Sequence, residues 1–319
     1  EKVGLQHTGL QYSSRAVSLI EQHDRTTPMF LMLSLQDPHG PIQAPEEYVA
    51  RYAFSNVLKN TYYGMISIID DTVGSVVEAL RKQRMYDDTL VIFTSDNGAP
   101  VYSKQLVDHG GVTNDPLRGG KGSAWEGGVR VPTAISGGFV PRSVVGRKLH
   151  NLMSIADWYA TFAHLTGAMT GLGGRTPSDS INQWPYIVGL DESGPRTELI
   201  LEHRRFENSL GAYNKYQGAL RVGHYKLLVG PQYMAVWNES DWNGADRTEC
   251  IAMPCLFNVH DDPGEHTDLA TSDTGRLEGM LRRWNELESA HDPEDRPLEE
   301  TEKQEACANW HHNSMGFLM

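Results

Sequence analysis

Two short apolar runs on either side of one long amphipathic stretch constrain this chain more than any other feature. The first, Met29-Phe30-Leu31-Met32-Leu33-Ser34-Leu35, is apolar on both alternations. That pattern suits a strand covered on both faces, as in a parallel sheet. From residue 60 to 83, Met65, Ile68, Ile69, Val73, Val76, Val77 and Leu80 recur every three or four positions, the period of a helix with one apolar face. Residues 89–95, Thr-Leu-Val-Ile-Phe-Thr-Ser, form the second run. Strand, long helix and strand make a crossover unit, so the two runs are expected to be parallel neighbours or near neighbours in one buried sheet.

Around this unit the chain reads as two parts. A short helix is expected at 15–22 and another at 156–165, the latter stopped by Gly167. Between 95 and 130 lies a glycine-rich stretch, far longer than an ordinary connection. It is punctuated by Trp125 and followed by a strand start at Arg130, as in an ordered functional loop. Residues 171–180 read as a linker. Beyond them, short strands at 199–202, 218–222 and 225–229 and a helix at 275–288 suggest a smaller α+β domain that contributes little chemistry. The expected division is 1–170 for the large α/β domain and 171–319 for the small domain and tail.

Composition excludes some partners. The formal net charge of −13 is spread along the chain, whereas nucleic-acid binding relies on clustered Lys and Arg. No apolar run approaches the ~20 residues that span a bilayer. The chain opens at Glu1, which is read as a processed start or as a piece of something longer. Cys250 and Cys255 could close a short surface disulfide loop, leaving Cys307 without an intrachain partner; three reduced thiols are the alternative. Asn238-Glu239-Ser240 is a glycosylation sequon that fits a secreted chain.

The chemistry is expected where the strands end, because open parallel sheets bind ligands beyond their carboxyl edges. His39 follows the first run, in Asp37-Pro38-His39-Gly40-Pro41. Asp96-Asn97-Gly98 follows the second. Asp96 and Asn97 offer hard oxygen ligands suited to calcium or magnesium rather than zinc, and Gly98 is expected to turn the backbone sharply beneath the ion. Lys121, in Arg118-Gly119-Gly120-Lys121-Gly122, adds a cation among residues that let an anion approach closely. Metal ligands, a lysine and a histidine together suit a tetrahedral oxyanion ester.

Read in order, Leu35-Gln36-Asp37-Pro38-His39-Gly40-Pro41, Phe93-Thr94-Ser95-Asp96-Asn97-Gly98 and Pro116-Leu117-Arg118-Gly119-Gly120-Lys121-Gly122-Ser123-Ala124-Trp125-Glu126-Gly127-Gly128-Val129-Arg130 resemble the sulfatases, and among them the arylsulfatase B type. Ile155-Ala156-Asp157-Trp158-Tyr159 and Leu256-Phe257-Asn258-Val259-His260-Asp261-Asp262-Pro263-Gly264-Glu265 extend the likeness over nearly the whole chain. The resemblance implies an alkaline-phosphatase-like α/β fold, a mostly parallel sheet flanked by helices and incomplete at its N-terminus, with a smaller C-terminal antiparallel-sheet domain. It implies calcium on Asp96 and Asn97, sulfate contacts from His39 and Lys121, and Trp125 beside the substrate. The expected substrates are sulfated glycans or aryl sulfates, and the expected location is secreted or lysosomal. The family's nucleophile is a formylglycine made from a cysteine in a Cys-x-Pro-x-Arg motif. No such motif occurs here, nor do the family's paired N-terminal aspartates. The expected partner is therefore the N-terminal portion of the same sulfatase, to which the resemblance would tether Cys307. A homo-oligomer stays open.

Three motifs are set aside. Asp108-His109-Gly110 resembles zinc-phosphodiesterase metal pairs but sits in the glycine-rich loop. Asp70-Asp71 lies within the long helix, where neighbours point about 100° apart. His311-His312 lacks further ligands nearby. A catalytically inert sulfatase-like structural, storage or matrix protein is the alternative reading. A phosphodiesterase or phosphatase fits less well, since a two-zinc site would place a histidine or carboxylate at position 97.

Overall fold

The computed structural model describes residues 7–101, 112–168, 179–205, 216–237 and 249–290. Asn238, Cys307, Asp108-His109 and His311-His312 lie outside them, as does most of the expected linker at 171–180. In chain order the elements are α1 (Thr8–Glu21), α2 (Glu46–Val49), α3 (Val57–Lys82), β1 (Val91–Thr94), α4 (Glu126–Val129), β2 (Thr133–Ser136), α5 (Asp157–Thr166), α6 (Trp184–Ile187), β3 (Glu198–Arg205), β4 (Tyr216–Val222), β5 (Tyr225–Val229), β6 (Cys255–Asn258) and α7 (Thr274–Ala290). The chain divides into two compact units, one up to Thr274 and one from Gly275 onward. In the second, Leu277, Met280 and Trp284 share one face of α7 at three- and four-residue spacing.

The amphipathic stretch is α3, and Asn56 starts it by accepting the Leu58 and Lys59 N–H groups on its side-chain oxygen. Such a cap satisfies donors that the first helical turn cannot. The apolar face of α3 packs on α1: Ile20, Ala79 and Leu80 are buried together, with Val17, Val76, Met85, Tyr86 and Val91 around them. Each large aliphatic side chain removed from water there stabilises the fold by about 1.5–3 kcal/mol. Because Val91 opens β1, this cluster fixes where the strand leading to Asp96 begins. α5 ends where Gly167 adopts φ +66°, a left-handed conformation that closes a helix at little cost in glycine.

The expected crossover is not what forms. Residues 30–35 pair with no strand among the described residues, and Phe30 and Met32 are 80% and 77% exposed. A strand apolar on both faces needs a ladder neighbour, and among the described residues none pairs with this run. β1 does form, only half-buried, and pairs antiparallel with β2, Val91 opposite Ser136 through Thr94 opposite Thr133. The second sheet, in the order β3-β4-β5-β6, is antiparallel throughout. Both sheets among the described residues are thus antiparallel.

Ala219, Leu228 and Phe257 from the four-stranded sheet, with Val259 just beyond β6, close over Ala124 and Trp125 of the glycine-rich loop. Cys250 and Cys255 form a disulfide with Cα atoms 5.4 Å apart. Both cysteines belong to this core, so the bridge is buried and not the surface loop expected. Asp157 gives the Ile155-Ala156-Asp157-Trp158-Tyr159 motif a structural role. It is fully buried and accepts from the Ser154 N–H (2.8 Å), the Ile181 N–H (2.9 Å), Gln183 Nε2 (2.8 Å) and Arg196 Nε (2.9 Å), tying α5 to the segment after residue 178.

Candidate active site

A cavity of about 390 Å³ lies beside the start of α1. His7, Gln36, Asp37, His39, Gln43 and Asp96 line it, with Leu35, Pro41 and Met65 as apolar wall. His39 and Asp96, separated by 56 intervening residues in the chain, therefore meet on one cavity. His39 is exposed, and its Nδ1–H donates to the Gly40 carbonyl at 2.9 Å, which leaves Nε2 uncommitted. Asp96 accepts the Asn97 N–H on Oδ1 at 2.8 Å, and Asn97 Nδ2 donates to the Gly98 carbonyl at 3.0 Å. Asp96 Oδ2 and Asn97 Oδ1 remain as two hard oxygen donors at the end of β1, the donor type calcium takes. Calcium takes six to eight oxygens, however, and no group of three or more His, Cys, Asp or Glu gathers as a metal site among the described residues. The residues present fit part of a calcium site.

Gly98 is needed for a different reason from the one expected. It is not in the positive-φ region; a Cβ at this position would lie 1.7 Å from the Gly127 carbonyl oxygen. The glycine allows two backbones to interlock, and the Gly98 N–H donates to Gly128 O at 3.0 Å. Lys121 belongs to the same layer: its N–H donates to Ala99 O at 3.0 Å, just beyond Asp96-Asn97-Gly98. Asn114 completes the join by accepting the Ala99 N–H and donating to the Ala99 and Gly119 carbonyls. Lys121 is thus brought beside the Asp96 segment, although it is not among the residues lining the cavity with His39.

Trp125 is not placed to touch a substrate. It is 0% exposed, its Nε1–H is spent on the Tyr233 carbonyl at 2.9 Å, and its ring packs edge-on against Phe257. A sequence of glycines around a tryptophan does not distinguish a substrate platform from a core plug; here the plug is realised. Asp70-Asp71 is likewise no carboxylate pair, because Asp71 is engaged by Arg51 at 3.0 Å on the flank of α3.

Two cavity residues carry no signal at sequence level. Asp37 is 3% exposed, its Oδ2 has no partner, and its Oδ1 lies 3.6 Å from His7 Nε2. Burial pushes its carboxyl above the usual aspartate range, against the pull of His7. His7 accepts the Gly9 N–H on Nδ1 and donates from Nε2 to the Gln43 carbonyl at 3.1 Å. Only proximity in the fold reveals the pair. Asp37 stands in the quoted motif, but nothing in that motif tells which side chain turns inward.

The glycine-rich loop is held from behind by buried charges. Lys226, 0% exposed, lies 3.0 Å from Glu126 Oε1 and 2.9 Å from Glu265 Oε1. The Glu126 N–H donates to Glu265 Oε2 at 2.7 Å. Burial opposes ionisation of Glu126, yet Lys226, Arg221 and Arg130 together hold it below the ordinary glutamate value. Glu265 is pushed up by burial and by Glu126, with Lys226 opposing.

The neighbours in structure space share this architecture. The crystal structure described as Ps i-CgsB in complex with k-i-k-neocarrahexaose superposes with a TM-score of 0.72 at 28% identity, over 97% of this chain and 60% of its own. The fold is thereby the alkaline-phosphatase-like α/β class. The family model described as Sulfatase matches residues 11–168, which places that part of the chain in the sulfatase family. Arylsulfatase J of Mus musculus is 29% identical over 301 residues, 86% of this chain and 48% of the relative. Arylsulfatase H of Homo sapiens is 32% identical over 277 residues, 84% of this chain and 46% of the relative. The chain spans about half the length of the curated relatives it matches.

Proposed function

We propose that this chain is the C-terminal portion of a calcium-dependent sulfatase of the arylsulfatase B type that hydrolyses sulfate esters of glycans. The observation that carries the reading is the meeting of His39 and Asp96 on one cavity, with the Lys121 backbone bonded beside the Asp96 segment. Asp96 Oδ2 and Asn97 Oδ1 would hold the calcium ion, whose charge, when it is bound, stabilises negative charge on the sulfate oxygens. The remaining ligands and the formylglycine that attacks sulfur would come from the N-terminal portion of the same protein.

Within this chain, Lys121 supplies a cation to a sulfate oxygen, worth most where water is excluded. His39, with Nδ1 tied to Gly40 O, presents Nε2 either to accept a proton or, when protonated, to donate one to the departing alcohol oxygen. The exposed apolar side chains of Phe30 and Met32 support the partner assignment, since the N-terminal portion would cover them. The sequon and the buried disulfide support a secreted or lysosomal setting. Among the described residues no helix is long and apolar enough to cross a membrane.

The test is calcium-dependent selectivity. The full-length protein, stripped with a chelator and titrated with calcium, is expected to regain hydrolysis of p-nitrophenyl sulfate and to prefer it to p-nitrophenyl phosphate. Calcium-independent turnover would remove the metal assignment, and a preference for the phosphate ester would replace this reading with a phosphatase. Absence of turnover on both, with calcium bound, would favour the inert sulfatase-like protein.

A further inference from the structure

The Arg118 guanidinium is 2% exposed and lies between two indoles, 4.0 Å from the Trp125 ring centroid and 4.1 Å from that of Trp237. Its NH2 group is 2.6 Å from Glu249 Oε1, and its NH groups reach the carbonyls of Ala235 and Glu265, each at 3.3 Å. Glu249 directly precedes the disulfide cysteine Cys250. Each of these partners belongs either to the loop itself or to the strand-rich part beyond residue 230.

The backbone of the same residue faces the other way. Arg118 O accepts the Gly127 N–H at 2.7 Å, and the Gly127 carbonyl oxygen is the atom packed against Gly98. Three residues on, Lys121 N–H holds Ala99 O. One residue thus joins the buried stack to the layer that carries both Asp96-Asn97 and Lys121. A planar, permanently charged fork is required for this: lysine offers no plane to lie between two rings, and a neutral side chain leaves Glu249 without its cation.

We propose that Arg118 is a positioning residue, which together with Glu249 sets the Lys121 and Asp96 segments in register for the sulfate ester. The inference rests on the sulfatase reading above. It also gives the segments around the C-terminal strands a part in the site, where sequence reasoning expects little chemistry.

The experiment uses the full-length protein and p-nitrophenyl sulfate, with kcat, KM and Tm measured for Arg118→Lys, Glu249→Gln and, as a reference, Lys121→Ala. A displacement of about 1 Å costs on the order of 100-fold in rate, so Arg118→Lys is expected to lower kcat by about that factor. Glu249→Gln, which removes the charge that pairs with Arg118, is expected to lower kcat about tenfold. For both variants KM is expected to stay within about twofold and Tm above the assay temperature. If Arg118→Lys does not fold, Glu249→Gln alone decides by the same criterion. If Lys121→Ala is impaired while both other variants keep wild-type kcat, the positioning role is overturned and the sulfatase reading stands. Activity lost only where Tm falls to the assay temperature overturns it equally, since a mere brace would do that. If Lys121→Ala itself keeps wild-type kcat, the site reading fails and takes this proposal with it.

Discussion

Replacing Lys226 with Met puts the buried charge network to its hardest test. Lys226 is 0% exposed and stands within 3.0 Å of one glutamate and 2.9 Å of another, themselves 3% and 0% exposed at the side chain. Methionine matches the lysine stem in length and fills its volume, so the perturbation is chiefly the loss of charge. Arg221 is the nearest remaining cation to Glu126, at 3.7 Å and partly open to solvent. Removing one partner of a buried pair costs about 3–5 kcal/mol, because the other charge stays buried without compensation. Against a typical total of about 5–15 kcal/mol, that is a large share of the stability. The pH dependence identifies the cause. Without Lys226, Glu265 has lost the cation that opposed burial and keeps the neighbouring Glu126. Its folded pKa then rises further above the unfolded glutamate value of about 4.3. Between those two values the native state holds more protons than the unfolded chain, so stability must increase as pH falls. Urea unfolding of wild type and variant from pH 8 to pH 5 reads both quantities. A loss below about 1 kcal/mol at pH 7, or a gap between variant and wild type that does not narrow as pH falls, would refute the electrostatic account.

Other perturbations bear on separate parts of the structure. Asp37→Asn is expected to raise stability at pH 7: burial lifts the folded pKa of Asp37, so its ionised form opposes folding above the unfolded value of about 3.9, and the gain should vanish well below that pH in urea melts. Asp157→Asn is expected to cost about 3–5 kcal/mol by stranding Arg196. Arg196 and three neutral donors hold the Asp157 pKa down against burial, so the difference from wild type should disappear as pH drops through that lowered value. Gly98→Ala would drive a methyl into the Gly127 carbonyl, 1.7 Å away, and should lower stability by about 1–3 kcal/mol or more, with weaker calcium binding in isothermal titration. A wild-type calcium isotherm for that variant would show that the interlock does not shape the metal ligands.

Local periodicity was the most legible part of the sequence. The spacing of Met65, Ile68, Val76 and Leu80 gave α3 nearly to its ends, Gly167 marked the end of α5, and the strands at 218–222 and 225–229 fell on β4 and β5. The apolar run at 29–35 misled because hydrophobicity reports a wish for burial and says nothing of what provides it. His39 and Asp96, which the structure brings to one cavity, could be singled out because they follow apolar runs and stand in motifs. His7 and Asp37 were not, because their significance is a 3.6 Å approach between the start of α1 and the segment after residue 35. Trp125 was assigned to the wrong side of its loop, since its neighbours in space, Phe257 and Tyr233, lie more than a hundred residues away. Arg118 and Glu126 stood in a quoted motif, but their roles depend on Glu249, Lys226 and Glu265, charges that no local pattern pairs with them.

Sulfate release by the full-length protein, compared between wild type and Asp96→Ala at saturating calcium, tests the central claim most directly. Asp96 lines the cavity shared with His39, is exposed enough to be replaced without loss of packing, and supplies one of the two donors assigned to calcium. Wild-type protein is expected to release inorganic sulfate from p-nitrophenyl sulfate, and the variant to fall by at least about 100-fold with its thermal melt unchanged. Equal sulfate release from the two proteins would contradict the assignment of this cavity as a sulfatase site.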